Sequence, residues 1–412
     1  MKRFFAVFIF LLITVHCTLT TVSHAFFIGF GSAGAVDQVI RKGQAEGKIP
    51  KTIPGDNNGN SVNGAVLVWQ KIYNSANNDL DAGRGVAVDS SGNIYVAGYS
   101  NNGINLDCLL IKYDINGDII WQKVFDGGNQ DVFYDIAIDH ADNIYVTGYS
   151  SRGTDEDYLT IKYDSDGNTI WQKISDSSGN EGGYSIAVDD TSNVYVTGAS
   201  NGNYLTTKHD PNGNILWSKW YNSGGYDEGH GIAVDSCGCV YVTGSSQNGP
   251  MWDYLTIKYD SNGNNVWQKA HTGSSAPYGG GAIAVDSCDN VYVTGTSNYN
   301  CLTIKYNPNG NIVWQKEYDN GNYNYGKDIT IDSSRDVYVA GYFHNNISGS
   351  DYYLIMKYNY NGDIIWQETY NIGTDGACYG MAIDDTGNVY ITGRFHNGIN
   401  YYDCLTIKYR QY

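Results

Sequence analysis

Seven copies of one short pattern run through this chain, and an internal repeat restricts the fold more tightly than any composition does. The fifth copy reads GGAIAVDSCDNVYVTG and then NCLTIKYNPNGNIVWQKEY. Trp69, Trp121, Trp171, Trp217, Trp267, Trp314 and Trp366 hold one position in successive copies, spaced by 52, 50, 46, 50, 47 and 52 residues. Each copy supplies four short runs rich in Val, Ile, Thr and Tyr, separated by clusters of Gly, Asn and Asp, which is the pattern of strands joined by turns. A four-stranded unit repeating near every fifty residues cannot bury both faces of its own sheet and must stack on its neighbours.

The count of runs is uneven. The first three types, exemplified by residues 186–189, 194–198 and 159–163, occur seven times and end at Tyr409. The Trp run follows only six of them, and its seventh copy lies at the other end, at residues 66–73. The expected fold is therefore all-β: a seven-bladed β-propeller closed by an N-terminal outer strand that pairs with residues 405–409. Closure of this kind leaves no full-length open edge.

The propeller is expected to occupy residues 65–412, preceded by a Gly/Asn-rich linker at 26–64 and a signal peptide at 1–25. Lys2 and Arg3 precede an apolar run at 4–15, and Ser23-His24-Ala25 supplies small residues for cleavage, the layout of a secretory signal. That run is short for a membrane span. Cys17 could serve a lipoprotein, but His16 stands where a small residue is needed. The mature chain is thus expected to lack a transmembrane segment and to be secreted or held in the cell envelope after bacterial export.

Twenty-five Lys and Arg stand against 43 Asp and Glu, a net charge of −18. Such a surface repels phosphates, so nucleic acid is not an expected partner. Cations, cationic surfaces and neutral glycans suit it better. Cys108, Cys301 and Cys404 share one repeat position and Cys237 and Cys288 another. Equivalent positions in adjacent blades lie beyond the ~7 Å Cα limit for a disulfide. Cys237-Gly-Cys239 has no accompanying ligand pair, and no metal ligands are assigned.

The unit GIAVD…GNVYVTG…LTIKYDxNGNxxWQK resembles the bacterial SBBP-type β-propeller repeat over residues 65–409, in all seven copies. The resemblance implies the fold and an exported or surface-associated protein, and implies no particular activity. The spacing of Gly117 and Trp121 is also similar to the tryptophan docking motif of quinoprotein propellers. There the Asp–Gly turn is one residue longer and Thr precedes the Gly, so no quinone cofactor is expected.

Several recurrent residues admit a structural and a functional reading. Asp-x-Asn-Gly (114–117, 260–263) could suggest Ca2+, but an EF-hand loop needs alternate oxygen ligands, Gly at the sixth position and Glu at the twelfth. Asn and Gly in these turns answer the need for positive φ. No cofactor is expected, Ca2+ being the one ion with a claim on the turns. The seven Trp, with Tyr95, Tyr145, Tyr163 and Tyr259, read as packing between blades rather than as sugar platforms. Lys112 and its six counterparts near the ends of the third strands, with Asp89 and its counterparts after the first, are expected to form a Lys–Asp ring on one face.

First-to-second and third-to-fourth connections are nearly uniform, whereas fourth-to-first and second-to-third loops vary and belong to the opposite face. A rigid scaffold with variable loops on one face suits recognition. Five residues before the Asp of each first strand stand Arg84, Tyr134, Tyr184, His230, Gly281, Lys327 and Tyr379, which should ring the mouth of the axis. Asp135, Asp328, Trp252, His344 and His396 are placed near it. The candidate ligand-binding set is Arg84, Tyr134, Tyr184, His230, Trp252, Lys327 and Tyr379, lining an apolar-walled cup with a few polar groups. No catalytic residue is assigned, for lack of an acid–base pair or a His-x-His cluster. The expected function is that of a monomeric binding or scaffold propeller recognising a glycan, a peptide or a surface protein. The alternative is an exported lyase or hydrolase using His230, His344 or His396 with a metal.

Overall fold

The structure is a computed structural model that describes residues 64–411 except 77–78, 154, 176–178, 275–278, 371–374 and 397–400. The segments read as signal and linker lie outside the described residues, save residue 64. Twenty-eight strands form seven four-stranded antiparallel sheets, with no helix among the described residues. Blade one runs Asp81–Val88, Ile94–Asn101, Leu106–Tyr113 and Ile119–Phe125 from first strand to last. Blades two to six repeat this order. The seven first strands touch one another in cyclic sequence, blade seven returning to blade one, so they form the innermost layer.

Blade seven closes as the strand count requires. Ala65–Tyr73 pairs antiparallel with Tyr402–Gln411, Val66 opposite Arg410 and Tyr73 opposite Cys404. It is the outermost strand of a sheet whose other three strands come from the far end of the chain.

Second and third strands are buried along almost their whole length, while the outermost are half-exposed. The reason is position: the middle of each sheet lies between two other sheets, so strict apolar–polar alternation is lost there. Buried hydroxyls find partners inside the sheet, as where Thr147 Oγ1 donates to the Leu159 carbonyl at 3.0 Å. All seven described cysteines are unpaired, four of them buried.

Two interlocks recur on the uniform face. In the first, the turn Gly of one blade rests on the Trp of the blade before it. A β-carbon on Gly213 would stand 3.1 Å from Trp171, and Gly213 also has φ +77°, so the position excludes other residues on two counts. The Trp171 indole donates to the Pro211 carbonyl of that same turn at 2.9 Å, and Trp267 donates likewise to Pro308 at 3.1 Å. The turn Asp spends its carboxylate on the turn itself: Asp260 accepts from the amides of Asn262 and Asn264 at 2.9 and 2.8 Å. Six of the seven Trp are only half-buried; Trp366, at 7% exposure, is the buried one.

The second interlock corrects the expected Lys–Asp ring. Lys and Asp meet within each blade, and a Tyr stands between them. In every blade the second-strand Tyr hydroxyl donates to the strand-end Asp at 2.8–3.0 Å. The third-strand Lys lies over that Tyr ring, 4.8–5.0 Å from its centre. Direct Lys–Asp approach within 4.0 Å occurs in three blades, the shortest being Lys357 to Asp332 at 3.5 Å. A buried ammonium ion thus gains an aromatic face as well as a carboxylate.

Deleting residues 65–73 should expose the edge of Tyr402–Gln411, where Leu405 and Ile407 are buried. Aggregation or a clear fall in melting temperature is expected; a monomer with unchanged melting would contradict the closure. Tyr241→Phe removes the hydroxyl that donates to Asp235 at 2.9 Å. It should cost about 1–2 kcal/mol, read as a lower calorimetric melting temperature.

Candidate binding site at the axial mouth

Pairing between first and second strands slips by one residue in every blade, always at the same place. The slips fall between Gly83 and Gly85, Phe133 and Asp135, Gly183 and Ser185, and Gly229 and Gly231. They recur between Gly280 and Ala282, Gly326 and Asp328, and Cys378 and Gly380. The residues left out of the ladder are Arg84, Tyr134, Tyr184, His230, Gly281, Lys327 and Tyr379. Each is the extra residue of a β-bulge, a device that re-aims one side chain without undoing the strand. The bulge also explains the Gly of Val-Tyr-Val-Thr-Gly: a β-carbon on Gly148 would collide with the Val132 carbonyl oxygen opposite.

The bulge residues line one cavity of about 390 Å³, joined by Glu228, Ser245, Thr296 and glycines 279, 280 and 326. The Arg84 guanidinium lies 4.2 Å from the Tyr379 ring centre and 5.6 Å from that of Tyr134. Tyr134 meets Tyr184 edge-on at 5.2 Å, and Tyr184 stacks on His230 at 5.6 Å with the planes 12° apart. The aromatic groups therefore form an arc from blade seven through blades one, two and three to blade four. Gly281 leaves the wall low at blade five.

A second column backs the first, and sequence reasoning missed it. The residue after the repeated second-strand Gly is Tyr99, Tyr149, Ala199, Ser245, Thr296, Tyr342 or Arg394. Tyr99 faces Arg84 at 5.5 Å, Tyr149 packs on Tyr134 at 5.9 Å, and Ser245 hydrogen-bonds His230 at 3.1 Å. Lys327 lies 5.8 Å from the Tyr342 ring, and Arg394 lies 5.8 Å from that of Tyr379. The signal was available as a variable column beside an invariant Gly within the repeat. Glu228 was also missed; it lies 3.4 Å from His230 Nε2.

Trp252 is not part of the cavity lining. It stands opposite Gln247 on the third strand of blade four and meets Tyr226 edge-on at 6.2 Å. His344 binds Asp351 through Nδ1 at 2.7 Å, and His396 packs against Tyr402 at 5.4 Å; neither lines the cavity. Asp135 and Asp328 lie one residue further along their strands and bind the neighbouring blade. Asp135 accepts from Ser185 Oγ at 2.8 Å and the Ile186 amide at 3.0 Å, and Asp328 accepts from the Met381 amide at 2.6 Å.

The cavity wall is more polar than the apolar cup expected from sequence. Arg84 and Lys327 form no ion pair among the described residues, and Arg84 Nε is sealed from solvent with no hydrogen-bond partner. Burial, and then the charge of Arg84, push Lys327 down to about 8. Burial would raise Glu228, but the hydrogen bond and charge of His230 outweigh it and hold the carboxyl below the ordinary range. Burial raises Asp135 to about 6, while burial and the nearby Asp135 charge raise Asp328 to about 8. Both residues are half-buried.

The structure is a seven-bladed β-propeller with a bulge-lined cup at one mouth of its axis. The beta-propeller repeat model, SBBP, matches residues 70–105, and a model described as Outer membrane protein assembly factor BamB matches residues 160–342. The chain thus carries a β-propeller repeat of the SBBP type at residues 70–105, within a seven-bladed propeller. No curated protein matches it. Among solved structures, BBS1N in complex with ARL6DN is similar at TM-score 0.53 and 12% identity, over 84% of this chain and 96% of that one. Chaetomium thermophilum Sqt1 is similar at TM-score 0.51 and 8% identity, over 81% and 96%. A Bacteroides caccae protein of unknown function gives TM-score 0.44 at 11% identity, over 68% and 97%. Identities this low speak for the fold alone.

The raised Asp328 carboxyl has a stability consequence. The folded state keeps a proton that the unfolded chain releases above about pH 4, so stability should fall as pH rises from about 4 to about 8. Asp135 adds to the lower half of that window. Asp328→Asn should flatten the decline, seen as a smaller melting difference between pH 5 and pH 8 than in the parent. An unchanged slope would show that Asp328 does not carry the proton.

Proposed function

We propose that this protein is an exported binding propeller whose axial cup captures a carboxylate-bearing ligand, an acidic glycan or an acidic peptide segment. One observation carries the reading: six side chains released from the sheet by bulges, with Gly281 as the seventh bulge residue, converge on one cavity, and two of them are cations with no ion pair among the described residues. Arg84 brings to the cavity a guanidinium charge unpaired among the described residues, which suits a carboxylate, and the stacked Tyr184 and His230 offer faces to a sugar or planar group. A cavity of about 390 Å³ suits a ligand of a few rings or residues. The complex of BBS1N with ARL6DN shows a propeller of similar fold engaging a protein, which supports the peptide arm. Export rests on the basic, apolar and small-residue sections of residues 1–25.

The Glu228–His230 contact at 3.4 Å favours a second reading, a lyase or hydrolase acting on the same ligand. Turnover of a bound ligand that His230→Ala abolishes without loss of binding would select it.

Arrays of acidic and neutral glycans and peptides test the proposal. Acidic members should be retained, and Arg84→Ala and Tyr184→Ala should each weaken their binding at least about tenfold, roughly 1.4 kcal/mol. Asn262→Ala, in a uniform-face turn, should leave affinity unchanged. Preference for neutral members, or loss with Asn262→Ala alone, would overturn the assignment.

A further inference from the structure

We propose that a divalent cation of the calcium class binds between blades one and two on the variable-loop face. Asp107, Asp126 and Asp131 each present an oxygen, and these oxygens lie within 4.8 Å of one another. They come from the third strand of blade one, the residue after its outermost strand, and the first strand of blade two. Each carboxylate has one oxygen committed to holding the loops. Asn102 donates to Asp107 Oδ2 at 2.9 Å, the Gly128 amide to Asp126 Oδ1 at 2.8 Å, and the Gly127 amide to Asp131 Oδ2 at 2.6 Å.

The remaining oxygens point to a ligand. Asp107 Oδ1 and Asp131 Oδ1 are shut off from solvent and accept no hydrogen bond, in residues only 5% and 0% exposed. An independent group joins them. Ser150 Oγ, in a residue of 0% exposure, stands beside Asp131 but makes no hydrogen bond of good geometry. A β-carbon on Gly127 would strike both Ser150 Oγ and Asp131 Oδ1, so these two oxygens crowd one point. Dry, unpartnered carboxylate oxygens are costly to bury. No Lys or Arg pairs with any of the three carboxylates among the described residues.

Equivalent positions elsewhere show what plain loop capping looks like. In blade three Ser200 Oγ donates to Glu181 Oε1 at 2.6 Å, and in blade four Ser223 bonds both oxygens of Asp227. Serines engage those two first-strand carboxylates, whereas Asp81 Oδ1 in blade one and Asp253 Oδ1 in blade four also lack a partner. What sets blade two apart is that two further carboxylates arrive from blade one, making the one such group of three among the described residues. An all-oxygen set with excess negative charge selects a hard cation, and Ca2+ accepts such sets with carbonyls and water completing six to eight ligands.

The test titrates Ca2+ into chelator-treated protein by calorimetry and follows melting temperature. One Ca2+ per chain and a rise in melting temperature are expected. Asp126→Asn, at an exposed residue, should weaken Ca2+ at least tenfold while the protein stays folded. Asp131→Asn should abolish the response, and Asp126→Asn carries the test if that variant does not fold. Asp260→Asn, in an Asp-x-Asn-Gly turn, should leave binding unchanged. Folded parent protein that shows neither heat nor stabilisation with millimolar Ca2+ would overturn the proposal. So would Ca2+ binding that survives Asp126→Asn, or that is lost with Asp260→Asn.

Discussion

A residue taken out of the hydrogen-bond ladder in each innermost strand is the constraint on which scaffold and site both depend. Along an ordinary strand successive side chains alternate between the two faces, and in a propeller both faces are blade contacts. The bulge breaks that alternation once and turns a single side chain toward the axial mouth. Pairing resumes on either side, as Gly83 with Gly98 and Gly85 with Ala97 show. The bulged position therefore tolerates Arg, Tyr, His, Gly or Lys without disturbing the packing behind it. The cost falls on the partner strand, which must carry Gly where the two backbones approach.

The uniform face holds the ring together by other means. Each turn Gly docks on the preceding Trp, and each Asp gathers turn amides, a Tyr hydroxyl and a nearby Lys. The exceptions follow from how the chain closes. Blade seven takes its outermost strand from the N-terminal end, so it has no third-to-fourth turn to set on Trp366. That indole is buried instead in a cluster with Tyr338, Tyr370 and Tyr409. Trp121 Nε1 lacks a partner, and the Ser165 carbonyl in the next turn accepts from Lys112 Nζ at 3.1 Å.

The blade count, the closing strand and the ring of seven bulge residues were legible because the repeat exposes any position that departs from it. A column that should be uniform but reads Arg84, Tyr134, Tyr184, His230, Gly281, Lys327, Tyr379 identifies itself. What was not legible depends on distance across strands. Trp252 looked close to the axis because its loop joins the variable face, yet three-dimensional pairing sets it beside Tyr226. Ser245 and Glu228 join the cup through contacts with His230 that no periodicity encodes. The Lys–Asp relation was correct in its partners and wrong in its geometry, since spacing along the chain does not reveal that a Tyr ring intervenes.

The charge of the cup runs against that of the chain. A net charge of −18 argues against acidic partners, but such repulsion between exposed charges is screened beyond about 8–10 Å at physiological salt. Inside the cup the near field decides, and it is set by Arg84 and Lys327. How these cations are held matters. An ion pair would fix the same side chains and cancel their charge. Instead Arg84 lies against Tyr379, Tyr134 and Tyr99, and Lys327 lies 5.9 Å from Tyr325 and 5.8 Å from Tyr342, two rings that stack on each other. Aromatic faces position a cation through their quadrupole and leave its net charge intact. The carboxylate in the cavity lining, Glu228, lies 3.4 Å from His230 and pairs with neither cation. Positive charge is thereby kept available at the mouth of an acidic protein, where a carboxylate that has crossed the screened outer field would meet it.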